Sequence, residues 1–354
     1  MKIKLFVFTK YSQNGASSRV RFFRYRKYLD DEYDITVSPL WGEDYLIKLY
    51  SGEGVGRFKI FKAYFLRLLD VFKCLFSDAK VIWIEKELFP WLPIPIEFIF
   101  KVFGKKVIFD YDDAVFNNYK KGLFSIFFNF KFRCIAHLAD SVMCGNEYII
   151  NYFSKLGCKR VDYIPTVIDI DKYSEKSSKS TSKLIIGWIG SPSTQKYLSI
   201  VDDAIYKLQK NYSVEFHVIG ANRLTHSRSN VTYIDWAEDT EVDNLKLFDV
   251  GIMPLFDSEF ERGKCGYKLI QYLALGIPVL ASPVGVNVNI VTDGVNGYLC
   301  ENDEWFCLLQ GLVEDRDKLQ CMGKASRKSV ASFYTYQAQN VNIISIISEL
   351  LSPR

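Results

Sequence analysis

The sequence predicts an α/β chain of two doubly wound domains, each built on a parallel sheet, and three observations carry that prediction. Short β-rich runs alternate with longer helical patterns from one end of the chain to the other, the pattern of parallel strands joined by crossover helices. A Ser- and Lys-rich stretch without apolar period interrupts the alternation between the two halves. The length of 354 residues suits two domains at roughly 150 residues each, and each half is long enough to bury its own core.

The first strand is Lys2–Phe8, an apolar run that continues into Thr9, Lys10 and Tyr11. It lacks the long apolar core and small-residue cleavage site of a signal peptide. Tyr33–Ser38, Lys80–Ile84, Lys106–Phe109, Ser141–Cys144 and Arg160–Ile164 complete the strands of the first half. Leu184–Ile189, Val214–Ile219, Val231–Ile234, Val250–Met253, Pro278–Ala281 and Gly297–Leu299 form those of the second. Between them, Asp171–Lys183 crowds Ser174, Ser177, Ser178, Ser180 and Ser182 with lysines, the composition of a linker. Domains are therefore expected at 1–172 and 184–335, joined by 173–183, with their sheets facing a central cleft. Ligands are expected there, at the carboxyl ends of the strands. Tyr336–Leu351 has helical apolar spacing, and 336–354 is expected as a terminal helix packing on one of the domains, the first being the candidate. The most apolar stretch, Phe89–Phe100, holds three prolines and Glu97 and is shorter than the ~20 residues of a bilayer span. No transmembrane helix is expected.

With 49% hydrophobic and 24% charged residues, disorder, collagen and coiled coil are excluded. The net charge of 45 − 41 = +4 is too small to argue for nucleic acid. Eight cysteines, Cys74, Cys134, Cys144, Cys158, Cys265, Cys300, Cys307 and Cys321, are scattered without a C-x-x-C pair or a local His cluster. That argues against zinc and for buried, reduced thiols of a cytoplasmic protein.

The aromatic share of 16% is the anomaly, and it concentrates in two basic segments. In 57–76, Phe58, Phe61, Phe65, Leu68, Leu69, Phe72 and Phe76 recur at helical spacing, while Arg57, Lys59, Lys62, Arg67 and Lys73 outnumber Asp70. In 119–138, Lys120, Lys121, Lys131 and Arg133 stand among Phe124, Phe127, Phe128, Phe130 and Phe132 with no acid. Such helices either pack on a domain with a solvated basic face or dock on an anionic membrane surface.

Two loops of the second half have the character of phosphate sites. Leu184–Ile189 runs into Gly190-Ser191-Pro192-Ser193-Thr194 and then Lys196. A strand, small polar turn and helix offer backbone N–H groups and a positive dipole end to an anion, though an ordinary capped turn has the same form. The second loop is more specific, with Arg262, Lys264 and Lys268 interleaved with Gly263 and Gly266. A helix starting at Tyr267, ending at Gly276 and followed by Pro278 would set Lys264, Lys268 and bare glycine backbone at its N-terminus, a suitable cradle for a diphosphate.

These residues resemble the donor-binding signature of the retaining glycosyltransferases of family 4. The likeness lies in Gly266 through Gln271, Ala274-Leu275-Gly276-Ile277-Pro278-Val279 and Asp293-Gly294-Val295-Asn296-Gly297. Gly187–Thr194, Phe216–Gly220, Ile164–Asp169, Gly145-Asn146-Glu147 and Phe109–Ala114 extend it over most of the chain. The resemblance implies the GT-B fold, two Rossmann-like domains, and transfer of a sugar from a nucleotide-sugar with retention at the anomeric carbon and without a metal or other cofactor. It points to bacterial surface polysaccharides, the acceptor being a glycan, on a lipid carrier where the basic aromatic segments meet a membrane. Two departures matter: the family's paired glutamates, separated by seven residues, are replaced by Gly263 and Gln271, and a usual arginine is Ser191.

The implied roles follow the leaving group, whose developing charge is the main thing to stabilise. Lys196 and Lys268, with the amides of Gly266, Tyr267 and Lys268, are expected at the diphosphate, supported by Arg262 and Lys264. Gln271 is expected at the ribose, Gly190 and Ser191 at phosphate or sugar, and Gly220 where the nucleotide approaches closely. Asp113 is the candidate for handling the acceptor hydroxyl, against the alternative that Asp110–Asp113 cap a helix. Gly15, Ser18 and Arg19 form a turn like the family's acceptor loop. A nicotinamide dehydrogenase is disfavoured because no G-x-G-x-x-G follows the first strand. An epimerase or phosphorylase of the same fold, or a non-catalytic scaffold subunit, stays open.

Overall fold

The computed structural model describes residues 2–43, 45, 56–175, 183–224 and 226–352. Most of the predicted linker, including Ser177, Ser178, Ser180 and Ser182, lies outside the described residues. The chain forms two compact units. One comprises Met1–Thr166, Gly263–Cys265 and Tyr336–Arg354, the other Val167–Arg262 and Gly266–Thr335.

The first unit holds a six-stranded parallel sheet of β1 (Ile3–Tyr11), β2 (Tyr33–Trp41), β3 (Val81–Glu85), β4 (Lys106–Tyr111), β5 (Ser141–Cys144) and β6 (Val161–Tyr163). Its order is β2-β1-β3-β4-β5-β6, so the direction of winding reverses between β1 and β3. The second holds β7 (Leu184–Ile189), β8 (Val214–Ile219), β9 (Val231–Ile234), β10 (Val250–Met253), β11 (Val279–Ala281) and β12 (Gly297–Leu299). These run β12-β11-β10-β7-β8-β9, reversing between β7 and β10. The strands are where their sequences place them because sheets covered on both faces demand continuous apolar runs. Val81–Glu85 and Val250–Met253 are buried at every position.

In the first unit, Phe6, Phe8, Ile84 and Phe109 of the sheet pack with Val71, Cys74 and Leu75 of the helix Arg57–Phe76. Phe128, Phe132 and Ile135 of the helix Ser125–Leu138 join the same core. The helix Tyr336–Leu351 is part of this unit: the Tyr336 hydroxyl donates to the Val20 carbonyl at 3.0 Å, and its ring stands edge-on to Tyr25. In the second unit, Tyr173, within the stretch expected as linker, is buried with Leu273 and Val330.

Three details revise the expectations. Lys131, counted above among the unopposed cations, is fully buried and pairs with Glu87 at 2.8 Å; the partner is distant in sequence, so the segment's own composition hid it. Arg67 is likewise buried, donating to the Thr9 carbonyl at 2.6 Å. The cysteines divide: Cys74, Cys144 and Cys300 are buried, whereas Cys307 and Cys321 lie on exposed helix positions.

Candidate active site

In the second unit the polar groups gather where β7 and β8 end. Gly220 takes φ = +76°, accessible to glycine without steric cost, and a Cβ there would stand 2.5 Å from the Gly190 carbonyl oxygen. A Cβ on Gly190 would fall 2.2 Å from the Trp188 ring and 2.6 Å from Lys268 Nζ. The missing side chains thus open the space that Lys268 occupies. Its ammonium lies 4.1 Å from the centroid of the buried Trp188 ring, a cation–π contact.

Lys268 stands in the first turn of the helix Tyr267–Ala274, which has no acid in that turn and no side-chain cap from Gly266. A cation there opposes the helix dipole by about 0.3–1 kcal/mol. Dipole and ammonium together make a patch that favours an anion. Packing fixes the helix: Leu269, Ile270, Tyr272, Leu273 and Ala274 are all buried, and the Tyr272 hydroxyl accepts from Ile189 N–H at 2.9 Å.

The earlier loop differs from its expected form. A 3-10 helix, Gln195–Ile200, follows it, and the α-helix Asp202–Asn211 comes after. The Thr194 hydroxyl accepts from Ser191 N–H at 3.1 Å and donates to the Ser191 carbonyl at 3.0 Å, closing a local turn as Ser and Thr do. Ser191 is exposed. Lys196 is 60% exposed and 4.0 Å from Glu261. Glu261 is buried, accepting from the Tyr197 hydroxyl at 2.5 Å and also from Ser258. Burial alone would raise its titration, but these hydrogen bonds, with Lys196, hold it below the usual glutamate range.

Gln271 is buried and donates to the Tyr173 hydroxyl at 2.9 Å and to Glu241 at 2.7 Å. Glu241 also accepts from Trp236 Nε1 at 2.7 Å. A carboxylate thus stands beside position 271, brought from another element. Arg262 forms a two-point ion pair with Asp257 at 2.6 and 2.7 Å, so its charge is already answered within the loop.

In the first unit a second polar cluster fills the ends of β1, β3 and β4. Glu85 accepts from the Ser17 hydroxyl at 2.8 Å, the Ser18 hydroxyl at 2.5 Å and Lys10 N–H at 2.9 Å. Ser18 is therefore buried and occupied in joining the Gly15 turn to β3. Arg19 Nη1 reaches the Asn14 carbonyl at 3.5 Å. Lys86 is buried, 2.8 Å from Asp112, 3.9 Å from Asp113 and 3.0 Å from the Ser17 hydroxyl. It holds a left-handed backbone, φ = +61°, a conformation costing a non-glycine residue about 1–3 kcal/mol.

The aspartates do not cap the following helix, Val115–Tyr119, which starts after Ala114 without a side-chain cap. Asp110 pairs with the buried Arg21. Asp112 is buried, which opposes its charge, but Lys86 and Arg21 outweigh this and hold its carboxyl low. Asp113 is 48% exposed at its side chain but crowded by its neighbours; partial loss of hydration and then the Asp112 charge push it above the usual aspartate range against the pull of Lys86, Lys264 and Lys10. Lys264 belongs to this unit and acts on Asp113 with the opposite sign. Asn146 Nδ2 holds the Gly263 and Lys264 carbonyls, each at 3.1 Å.

Lys86, Glu85, Glu241, Glu261 and Tyr173 were not among the sequence candidates. One signal was present for two of them: the charged run Glu85-Lys86-Glu87 directly ends a strand that is otherwise apolar, where doubly wound sheets hold their ligands. Among the described residues no three His, Cys, Asp or Glu side chains come together as a metal site, and no helix is long and apolar enough to cross a membrane.

Comparison with known proteins finds a family model that matches part of the second half of the chain. The model for glycosyl transferases group 1 matches residues 183–314. Spore coat protein SA of Bacillus subtilis (strain 168) is 24% identical over 140 residues, which is 38% of this chain and 35% of that protein. The match thus spans about a third of that relative's length. Among solved structures, sucrose-phosphate synthase from Thermosynechococcus elongatus superposes with a TM-score of 0.74 at 12% identity, covering 99% of both chains. Anabaena HepE in complex with UDP and glucose gives 0.72 at 14% identity, over 98% of this chain and 100% of its own. WaaG, a glycosyltransferase involved in lipopolysaccharide biosynthesis, gives 0.69 at 14%, over 98% and 100%. At these identities the structural likeness is one of fold.

Proposed function

We propose, from the match of residues 183–314 to the group 1 glycosyl transferase model and from the GT-B fold shared with glycosyltransferases, that the protein is a retaining hexosyltransferase. It moves a sugar from a nucleotide-sugar to a hydroxyl of a lipid-linked glycan, in the assembly of a bacterial surface polysaccharide. The observation that carries the donor half is Lys268. Its ammonium sits over Trp188 beside Gly190 and Gly220, at the ends of β7 and β8, next to the reversal point where open α/β sheets bind ligands. HepE in complex with UDP and glucose has the same fold, in keeping with this reading.

In the reaction the acceptor oxygen bonds to the anomeric carbon as the bond from that carbon to the diphosphate oxygen breaks. The bond's electron pair leaves with the diphosphate. Lys268 and Lys196 meet that charge, and a preorganised cation stabilises it without rearrangement in the transition state. Gln271, held by Glu241 and Tyr173, orients the ribose. Asp113 takes up or orients the acceptor proton, with Lys264 close enough to bias its charge. Gly15 and Arg19 face the acceptor side.

The lipid-linked acceptor is supported by the surface of the first unit. On the helix Arg57–Phe76, Phe58 is 78%, Phe61 69% and Phe76 79% exposed, beside exposed Arg57, Lys59 and Lys62. Ile126, Phe127 and Phe130 are exposed on Ser125–Leu138, with Lys120, Lys121 and Arg133. Aromatics turned outward beside cations suit an anionic bilayer surface, which supports a peripheral position on the inner face of the cytoplasmic membrane.

The test is incubation with a panel of nucleotide-sugars and lipid-linked glycans, following nucleoside diphosphate release and the mass and anomeric configuration of the product. Release coupled to a new glycosidic bond of the donor's anomeric configuration supports the proposal. Epimerised donor without transfer, or no donor binding, refutes it.

A further inference from the structure

Two cavities of the first unit adjoin. The smaller, about 60 Å³, is lined by Lys10, Lys86, Glu87, Trp91, Asn118 and Tyr119 among others. The larger, about 350 Å³, is a groove whose walls include Trp91, Tyr119, Lys121, Leu123, Phe124 and Phe128. Trp91 and Tyr119 line both, so the small chamber that carries the charged side chains and the apolar groove share a wall.

The charges of the chamber are unequal in their pairing. Glu87 is answered by Lys131 at 2.8 Å and by the Tyr119 hydroxyl at 2.6 Å. Lys86 is answered by Asp112. Lys10 forms no ion pair among the described residues; its ammonium is 5.2 Å from the Tyr11 ring centroid. Burial, and then repulsion from Lys86, lower its affinity for a proton against the opposing pull of Glu85, Asp112 and Glu87, which leaves Lys10 the cation of the chamber without a direct carboxylate contact among the described residues. The chamber also lies at the ends of β1 and β3, the reversal point of the first sheet, where ligands of such sheets bind. Finally, Lys86 and Trp91 are the only non-glycine residues with positive φ among the described residues, both at +61°. Both line this chamber, and such backbone strain concentrates at ligand sites.

Size restricts the occupant. At ~30 Å³ per water, the chamber takes about two water volumes, a size that suits one small group such as a phosphate. The groove takes about a dozen such volumes, a short length of hydrocarbon, and its rim residues Leu123 and Phe124 are 89% and 60% exposed.

We propose that chamber and groove form one bipartite site for a lipid phosphate, with phosphate oxygens at Lys10 and the first stretch of the chain between Trp91, Leu123 and Phe124. The lipid is the anchor of the acceptor, an identification that rests on the transferase reading above; the binding itself does not.

The probe is dodecyl phosphate below its micellar concentration, titrated calorimetrically into the full chain, with inorganic phosphate and an uncharged dodecyl glycoside as controls. Dodecyl phosphate is expected to bind more tightly than either control. Lys10→Gln weakens it at least about tenfold, as loss of a charge-assisted contact does, and leaves the glycoside unchanged. Leu123→Asp weakens both amphiphiles. Thermal melts at the wild-type temperature confirm that the variants fold. Failure of dodecyl phosphate to bind, or equal binding by wild type and Lys10→Gln, overturns the site. If nucleotide-sugars are turned over with a water-soluble acceptor while dodecyl phosphate does not bind, only the site is lost. If it binds through Lys10 and Leu123 while no nucleotide-sugar is used, the site stands and the transferase reading falls.

Discussion

Removing the Lys268 ammonium separates its service to the fold from its service to the reaction. Its contact with Trp188 at 4.1 Å contributes about 0.5–2 kcal/mol to stability, while its place in the first turn of Tyr267–Ala274 costs about 0.3–1 kcal/mol. These terms largely cancel. Lys268→Met, which keeps the stem over the indole, should therefore melt within a few degrees of wild type. The reaction has no such cancellation. A charged hydrogen bond is worth about 1.5–3 kcal/mol, and a donor aimed at developing charge about 2.7–4 kcal/mol. A loss of about 2–4 kcal/mol is a fall of roughly thirty- to a thousandfold in kcat/KM. The assay is nucleoside diphosphate release by purified Lys268→Met and Lys268→Ala, with a thermal melt of each. Variants that fold normally and keep kcat/KM within twofold of wild type would remove Lys268 from the site.

Three further outcomes are expected. Gly190→Val puts a branched side chain where even a Cβ lies 2.6 Å from Lys268 Nζ; it should destabilise by about 1–3 kcal/mol and abolish nucleoside diphosphate binding measured by calorimetry, and retained affinity would show that Gly190 does not shape the site. Reversing Arg57, Lys59 and Lys62 to Glu should weaken co-sedimentation with anionic liposomes by at least about 3 kcal/mol, roughly a hundredfold, with wild-type binding falling as salt rises; unchanged sedimentation would refute membrane docking by this helix. Asp113 titrates above the usual aspartate range through lost hydration and Asp112, so if it is the base, kcat/KM rises with pH through that raised value. The sign for stability is opposite: the folded state holds the proton more tightly than the unfolded one, so the contribution present at low pH is lost as pH rises through the folded value. Asp113→Asn should remove the acidic limb of the rate profile, and a profile that keeps it assigns the limb to another group.

Much of the fold was visible in the sequence because parallel strands covered on both faces leave unbroken apolar runs, such as Leu184–Ile189, that turn residues delimit. The loop ending in Lys268 was visible for a related reason: glycines, cations and a proline stand at fixed places around one helix. What pairs across long separations was not. Glu85 meets Ser17 and Ser18 across 68 and 67 residues, and Glu87 meets Lys131 across 44, with no local pattern joining them. Composition also gave no sign of which face of Arg57–Phe76 turns inward: Arg67 is buried with Val71, Cys74 and Leu75 while Phe58, Phe61 and Phe65 are exposed, so the aromatic stripe is not the buried face. Gln271 was expected at the ribose; that Tyr173 and Glu241 hold it was not legible, because only the fold brings those residues together.

The proposed donor site puts a nucleotide-sugar's diphosphate at the ends of β7 and β8. A crystal soaked with uridine and guanosine diphosphates tests it most directly. One of them is expected bound with its phosphates within hydrogen-bond reach of Lys268 Nζ and against the backbone of Gly190, with the ribose toward Gln271. A nucleotide bound elsewhere on the chain, with Lys268 still resting on Trp188 and no phosphate beside it, would contradict it.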